Sequence, residues 1–338
     1  MRMHRMRGRA IWLAFVLSSL SSLSSLSSLS ALAALAGSVA SCGSRTGLFG
    51  EDPGSLGGSS GGSSLDGGRE SSSQDASIDV PLIDAMPRAD VDRTDCPDAD
   101  ATFVYVVTQQ NELFSFYPPD LSFKLIGNLV CPSGAATPFS MAVDRRGVAY
   151  VLYQDGQLYR VSTATAACVP TTFAVAQGGF TTFGMGFASD VGGAAERLYV
   201  TDNDFDGQLR GLGSIDTTTF KLGFIGSFGT QMKRSELTGT GDGRLFSFWP
   251  DADGFGPSHL SELSKTTGQI IAQTNLPVGQ ANDAFAFAFW GGEFWIFTST
   301  GGPSDVHRYR PLDGTTTTPT THPSTIVGAG VSTCAPQL

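Results

Sequence analysis

Phe285-Ala-Phe-Ala-Phe-Trp-Gly-Gly-Glu-Phe-Trp-Ile-Phe297 decides how the second half of this chain is read. Aromatic and small residues alternate up to Phe289, a glycine-rich turn follows, and a second β-rich run starts at Glu293. Period-two alternation broken by turn residues is the signature of consecutive antiparallel strands. The same order recurs upstream. Small or glycine-rich runs appear at Phe139–Asp144, Phe183–Phe187 and Glu236–Thr240, each followed by a β-rich run at Val148–Leu152, Arg197–Thr201 and Arg244–Phe248. Third runs follow polar loops at Gln157–Val161, His259–Leu263 and Asp305–Tyr309, and a more variable fourth closes each unit, as in Phe224–Phe228.

Four short strands over roughly 45–50 residues is the period of propeller blades. The first strand of each unit is small because inner strands crowd at an axis. Later strands lie farther apart and carry Tyr, Phe and Trp. The first unit is incomplete: Phe103–Val107, Leu113–Phe116 and Lys124–Asn128 match the second, third and fourth strands, with no first strand ahead of them. Val331–Ala335 at the C-terminus is the spare run that completes it. The expectation is an all-β chain over residues 96–338, a β-propeller of five four-stranded blades closed by its C-terminal strand.

The N-terminus carries a different message. Arg2, Arg5, Arg7 and Arg9 precede an apolar run from Ile11 to Ala36, and Val39-Ala40-Ser41-Cys42 closes it. That order predicts a signal peptide over 1–41, and the four closing residues resemble a bacterial lipobox, with Cys42 the acylated residue. An uncleaved membrane helix is the other reading, since the run is long enough to span a bilayer. Gly43, in place of an aspartate, points towards the outer membrane. Residues 42–95 are rich in Gly and Ser and then in Asp, without apolar periodicity, and are expected to form a disordered tether. The membrane, met through the lipid anchor, is thus the first expected partner.

The net charge is −10 and becomes −14 once the four signal arginines are removed. Such acidity argues against nucleic acid as a partner. With Cys42 acylated, Cys96, Cys131, Cys168 and Cys334 remain, an even number that reads as disulfides in an exported domain. Closure of the ring by both termini brings Cys334 near Cys96 and leaves Cys131 for Cys168.

Pro138–Arg145, Phe183–Phe187, Glu236–Gly243, Phe285–Gly292 and Val327–Pro336 together resemble a family of myxobacterial propeller lipoproteins. The resemblance covers most of Cys96–Leu338 and implies a propeller fold and an envelope address. It implies no activity, so no catalytic residue is carried over.

The sharpest local motif is Asp202-Asn-Asp204-Phe-Asp206-Gly207. Its alternating carboxylates suit calcium, although the twelfth position, where such loops need an acid, is Gly213. A solvated turn is the competing reading. Asp251 and Asp253 occupy the corresponding loop of the next unit. Asp144 and Asp242 follow first strands, where aspartate is common turn chemistry. His259, His307 and His322 show no nucleophile beside them, and Trp249, Trp290 and Trp295 with Phe285, Phe287 and Phe289 alternate in strand register as core residues do, a sugar- or peptide-binding surface being the other reading. The Thr315–Thr318 tract reads as a loop. The leading expectation is a non-enzymatic scaffold that binds protein or glycan. An envelope hydrolase using carboxylates near the axis is the alternative.

Overall fold

The structure, a computed structural model, describes Cys96 and residues 102–338 apart from 191–194, 204–209, 230, 231, 233, 252–255 and 280–282. Cys42, the signal segment and nearly all of the tether lie outside the described residues.

Twenty strands form five four-stranded antiparallel sheets, the blades of a five-bladed β-propeller. Blade 1 holds β1 (Val104–Thr108), β2 (Glu112–Tyr117) and β3 (Ser122–Asn128), and its inner strand is β20 (Ile326–Val331). Blade 2 runs β4 (Pro138–Val143), β5 (Val148–Tyr153), β6 (Leu158–Ser162) and β7 (Cys168–Pro170). Blade 3 runs β8 (Phe183–Ser189), β9 (Glu196–Asp202), β10 (Leu212–Ile215) and β11 (Leu222–Gly226). Blade 4 runs β12 (Glu236–Gly239), β13 (Leu245–Trp249), β14 (Ser258–Leu263) and β15 (Ile270–Leu276). Blade 5 runs β16 (Ala284–Trp290), β17 (Glu293–Ser299), β18 (Ser304–Arg310) and β19 (Thr315–His322).

The inner strands β4, β8, β12, β16 and β20 touch one another in that order, and β20 touches β4, so the ring is closed. Close approach dictates their composition. A Cβ on Gly184 would sit 2.1 Å from the Ser235 carbonyl oxygen, and one on Gly330 would sit 2.8 Å from the Val143 nitrogen. Only glycine lets two backbones meet like this. One strand outward, the space opens. Tyr105, Tyr150, Tyr199, Phe246 and Trp295 hold the same place in the second strands, opposite Gly330, Ala142, Gly186, Thr238 and Ala288. Small at the axis and large outside makes each blade a wedge.

Apolar packing therefore divides among the blade interfaces. Tyr150, Phe183 and Phe187 fill the space between blades 2 and 3. Phe246, Phe248, Phe287 and Phe294 fill that between blades 4 and 5, and Phe116, Trp295 and Phe297 that between blades 5 and 1. Full burial of one such ring contributes about 1.5–3 kcal/mol.

Two expectations need correction. The closing strand is Ile326–Val331 and not Val331–Ala335; Val331 pairs with Val104, and Gly328 pairs with Val107. Gly328 and Gly330 are the residues that permit contact with β4, while Ser332–Ala335 turns instead, with the Ala335 N–H donating to the Ser332 carbonyl at 2.9 Å. The threonine tract is likewise no loop. It is β19, the outer strand of blade 5, where β-branched side chains favour extended backbone.

Cys96 is bonded to Cys334, with Cα atoms 5.9 Å apart, just beyond the closing strand. Cys131, after β3, is bonded to Cys168 at the start of β7, with Cα atoms 5.3 Å apart, and joins the outer edges of blades 1 and 2.

Candidate functional site: a bowl at the top of the axis

The end of the propeller where the inner strands begin is its top. A cavity of about 840 Å³ opens there, lined by residues from all five blades. Its floor is a carboxyl group. Glu236, the first residue of β12, is buried, and its Oε2 accepts a 2.7 Å hydrogen bond from the Ser140 hydroxyl of β4. The Met185 N–H of β8 also donates to it. Burial pushes this carboxyl well above its ordinary range and so favours its neutral form. Three inner strands thus converge on one side chain that closes the channel.

The rim repeats a backbone device. The first residue after the second strand donates its N–H to the carbonyl just before or at the start of the inner-strand segment. Gln109 reaches Thr325 at 2.9 Å, Gln154 reaches Thr137 at 2.9 Å and Asn203 reaches Thr182 at 3.0 Å. The device places an amide side chain on the bowl in blades 1, 2 and 3. Gln109 and Gln154 are exposed. Asn203 is buried and acts locally: its Oδ1 accepts from the Ser235 N–H at 2.7 Å, and its Nδ2 donates to the Ser235 carbonyl at 2.9 Å. Thr201 adds a 3.0 Å hydroxyl contact to Ser235. This clamp fixes the segment carrying Arg234 and Glu236.

Blades 4 and 5 supply the charged side. Arg234 lies in the wall, where burial pulls its guanidinium below the usual arginine range. Asp283 is exposed at the opening, and its N–H donates to the Ser299 carbonyl at 3.2 Å. Phe139 and Phe285, both half-buried, hold equivalent second positions of β4 and β16 and line the bowl. Amides that donate and accept, aromatic rings, one cation and one carboxylate suit a ligand bearing hydroxyls on an apolar frame.

A second acid ties blades together at the bottom face. Glu196 accepts the Arg145 N–H at 2.7 Å and the Thr333 hydroxyl at 2.9 Å, joining blades 2 and 3 to the closing segment. Burial pushes it up to about 7.

Of the residues singled out from sequence, Phe285 lines the bowl, and the described aspartates and histidines of that reading lie elsewhere. Asp202 is buried, and its Oδ2 accepts the Arg210 N–H at 2.9 Å. Asp204 and Asp206 lie outside the described residues, as does Asp253. Among the described residues, no group of three His, Cys, Asp or Glu is placed to hold a metal ion. Asp251 meets His259 Nε2 at 3.0 Å, while His259 stacks on Trp249 with ring centroids 3.9 Å apart. Asp144 accepts the N–H groups of Arg146 and Val148 at 3.0 and 2.8 Å, as a turn aspartate does. Sequence reasoning missed Gln109, Gln154, Asn203 and Arg234. The available signal was an amide following the second strand in three successive units.

Solved structures similar to this chain include one in the crystal structure of a nidogen/laminin complex, at 13% identity over 70% of this chain and 100% of that one, with a TM-score of 0.42. The Dos1 propeller is similar at 10% identity over 68% of this chain and 55% of its own, with a TM-score of 0.38. A chain of the mitotic checkpoint complex is similar at 10% identity over 77% and 74%, with a TM-score of 0.36. No protein-family model matches the chain, and no curated protein matches it significantly.

Proposed function

We propose that this chain is an exported, lipid-anchored propeller that binds a saccharide in the bowl at its top face and does not turn it over. The bowl carries the reading: exposed amides on Gln109 and Gln154 and the half-buried rings of Phe139 and Phe285 line one cavity of sugar size. The two disulfides support an oxidising compartment, as a cleaved signal and an acylated Cys42 require. Residues 42–95 serve as the tether. A glycan array probed with the full chain, followed by calorimetry on the saccharides it retains, tests the proposal. Gln109→Ala and Gln154→Ala should each weaken binding up to about tenfold, the value of one net hydrogen bond. An array without a bound saccharide would sink it.

One observation favours hydrolysis as a second reading. Burial raises the Glu236 carboxyl well above its ordinary range, and it shares the bowl with Asp283; an acid held towards its neutral form in one cavity with a carboxylate is the equipment of glycoside cleavage. Its bonds to Ser140 and Met185 favour the role of floor. Release of reducing ends that stops in Glu236→Gln would transfer the function to hydrolysis.

A further inference from the structure

We propose that the cleft between blades 1 and 2 on the bottom face is a second saccharide site. It shares no residue with the bowl.

One ring at this cleft is less covered than its counterparts in the other blades. Of the five equivalent second-strand aromatics, Tyr150, Tyr199, Phe246 and Trp295 are buried, and Tyr105 alone is half-exposed. The next blade decides the difference. Tyr150 is covered by Phe220 of blade 3, with ring centroids 6.5 Å apart. Phe220 is left-handed, with φ 55°, and its N–H donates to the Asp216 carbonyl at 2.7 Å in the turn between the third and fourth strands. Blade 2 builds the same turn, with φ 59° at Ala166 and a 2.8 Å bond from its N–H to the Ser162 carbonyl. Where blade 3 offers a phenyl ring to the blade before it, blade 2 offers a methyl group. A cleft of about 460 Å³ remains in front of Tyr105.

Its walls have the chemistry of a sugar subsite. Phe103 meets Tyr105 and Tyr117 edge to face, with centroids 6.4 and 5.6 Å away, and all three line the cleft. Ser115 stands in register between Tyr105 and Lys124. It is 8% exposed, and its hydroxyl makes no hydrogen bond among the described residues. Ser115 lines the cleft, so its hydroxyl is open to a partner from outside. Asp120, held by the N–H and hydroxyl of Ser122, and Lys124 add an acceptor and a donor of opposite charge at the rim. Aromatic faces, a free hydroxyl and a balanced charge pair fit an uncharged pyranose with its C–H face on the rings.

The test titrates the full chain with cellobiose, maltose and N,N′-diacetylchitobiose, using calorimetry and saturation-transfer NMR. A Gln154→Ala background impairs the bowl and isolates the cleft. At least one disaccharide should bind there, and Ser115→Ala and Tyr117→Ala should each weaken it about tenfold or more. Binding lost with Gln154→Ala but kept with Tyr117→Ala would assign the sugar to the bowl and overturn the cleft. Absence of binding by all three disaccharides, or preference for N-acetyl-tryptophanamide over them, would overturn it too. If the bowl binds nothing and the cleft proposal holds, Gln154→Ala is silent and Tyr117→Ala is not.

Discussion

The Ser140 hydroxyl and the Glu236 carboxyl meet at 2.7 Å across the propeller axis, from blades 2 and 4, which are not neighbours in the ring. The bond spans the channel and makes the cavity above it a blind bowl. Burial favours the neutral form of Glu236. Its folded-state pKa is raised, so its contribution to stability is fully present below the unfolded carboxyl value and is lost as pH rises through the folded value. Glu236→Gln should keep the floor and remove that dependence, whereas Glu236→Ala should cost about 1–3 kcal/mol through the orphaned donors. Thermal melts from pH 5 to pH 9 check this; a Gln variant that melts like the Ala variant would refute the neutral-floor account.

Glu196 extends the same logic to the bottom. Its pKa stands at about 7 against an ordinary 4.5, because burial outweighs the Arg145 and Thr333 hydrogen bonds. The sign is again that of a raised acid: stability falls as pH climbs from about 4.5 to about 7 and is flat above. One pKa unit corresponds to about 1.4 kcal/mol, so this group accounts for up to about 3 kcal/mol across that window. Chemical denaturation at pH 5 and pH 8 should show the loss, and Glu196→Gln should flatten it. An unchanged pH slope in that variant would show that another group carries it.

Closure by Ile326–Val331 makes a truncation series decisive. A chain ending at Thr325 lacks the inner strand of blade 1 and should not fold to a cooperative unit. A chain ending at Ala335 keeps that strand and the Cys96–Cys334 bond and should fold normally. Replacing Cys96 and Cys334 together by serine opens a loop of more than two hundred residues; chain-entropy models put the loss at roughly 4–5 kcal/mol. Equal melting temperatures for the chains ending at Thr325 and Ala335 would contradict closure.

The blades were legible because their wedge shape is written in local alternation. Phe285–Phe289 and Glu293–Phe297 show small residues at the axis and rings one strand out, and blades 2 to 5 repeat that contrast. The closing strand was misplaced by five residues because Val331–Ala335 and Ile326–Val331 are both apolar and small. Only contact with β4 explains why glycines 328 and 330 matter. The threonine tract carries no alternation of apolar and polar residues, so an outer strand exposed on most positions reads like a loop. The bowl was hidden for another reason. Its members come singly from five blades, and Gln109, Gln154 and Arg234 belong to no local motif. The acidic run at Asp202 draws the eye because its residues are adjacent, yet Asp202 itself is bonded to the Arg210 N–H, and Asn203 is the member of the run that lines the bowl.

Asn203 separates positioning from contact. Its amide completes both backbone bonds of Ser235, at 2.7 and 2.9 Å, inside a buried joint between blades 3 and 4. Asn203→Ala leaves a buried N–H and a buried carbonyl without that partner, which should cost about 1–3 kcal/mol. The same change frees the Arg234–Glu236 segment, so saccharide binding at the bowl should weaken although the Asn203 amide is already committed to the protein. Gln154→Ala should behave oppositely: its side chain is exposed, so binding falls while the melting temperature holds. Asn203→Asp retains the acceptor for the Ser235 N–H but loses the donor to its carbonyl, and should fall between wild type and alanine in stability. Melting curves and saccharide calorimetry on the three variants check the division. If Gln154→Ala lowered stability as much as Asn203→Ala, the rim amides would be structural, and binding would have to be sought on another surface.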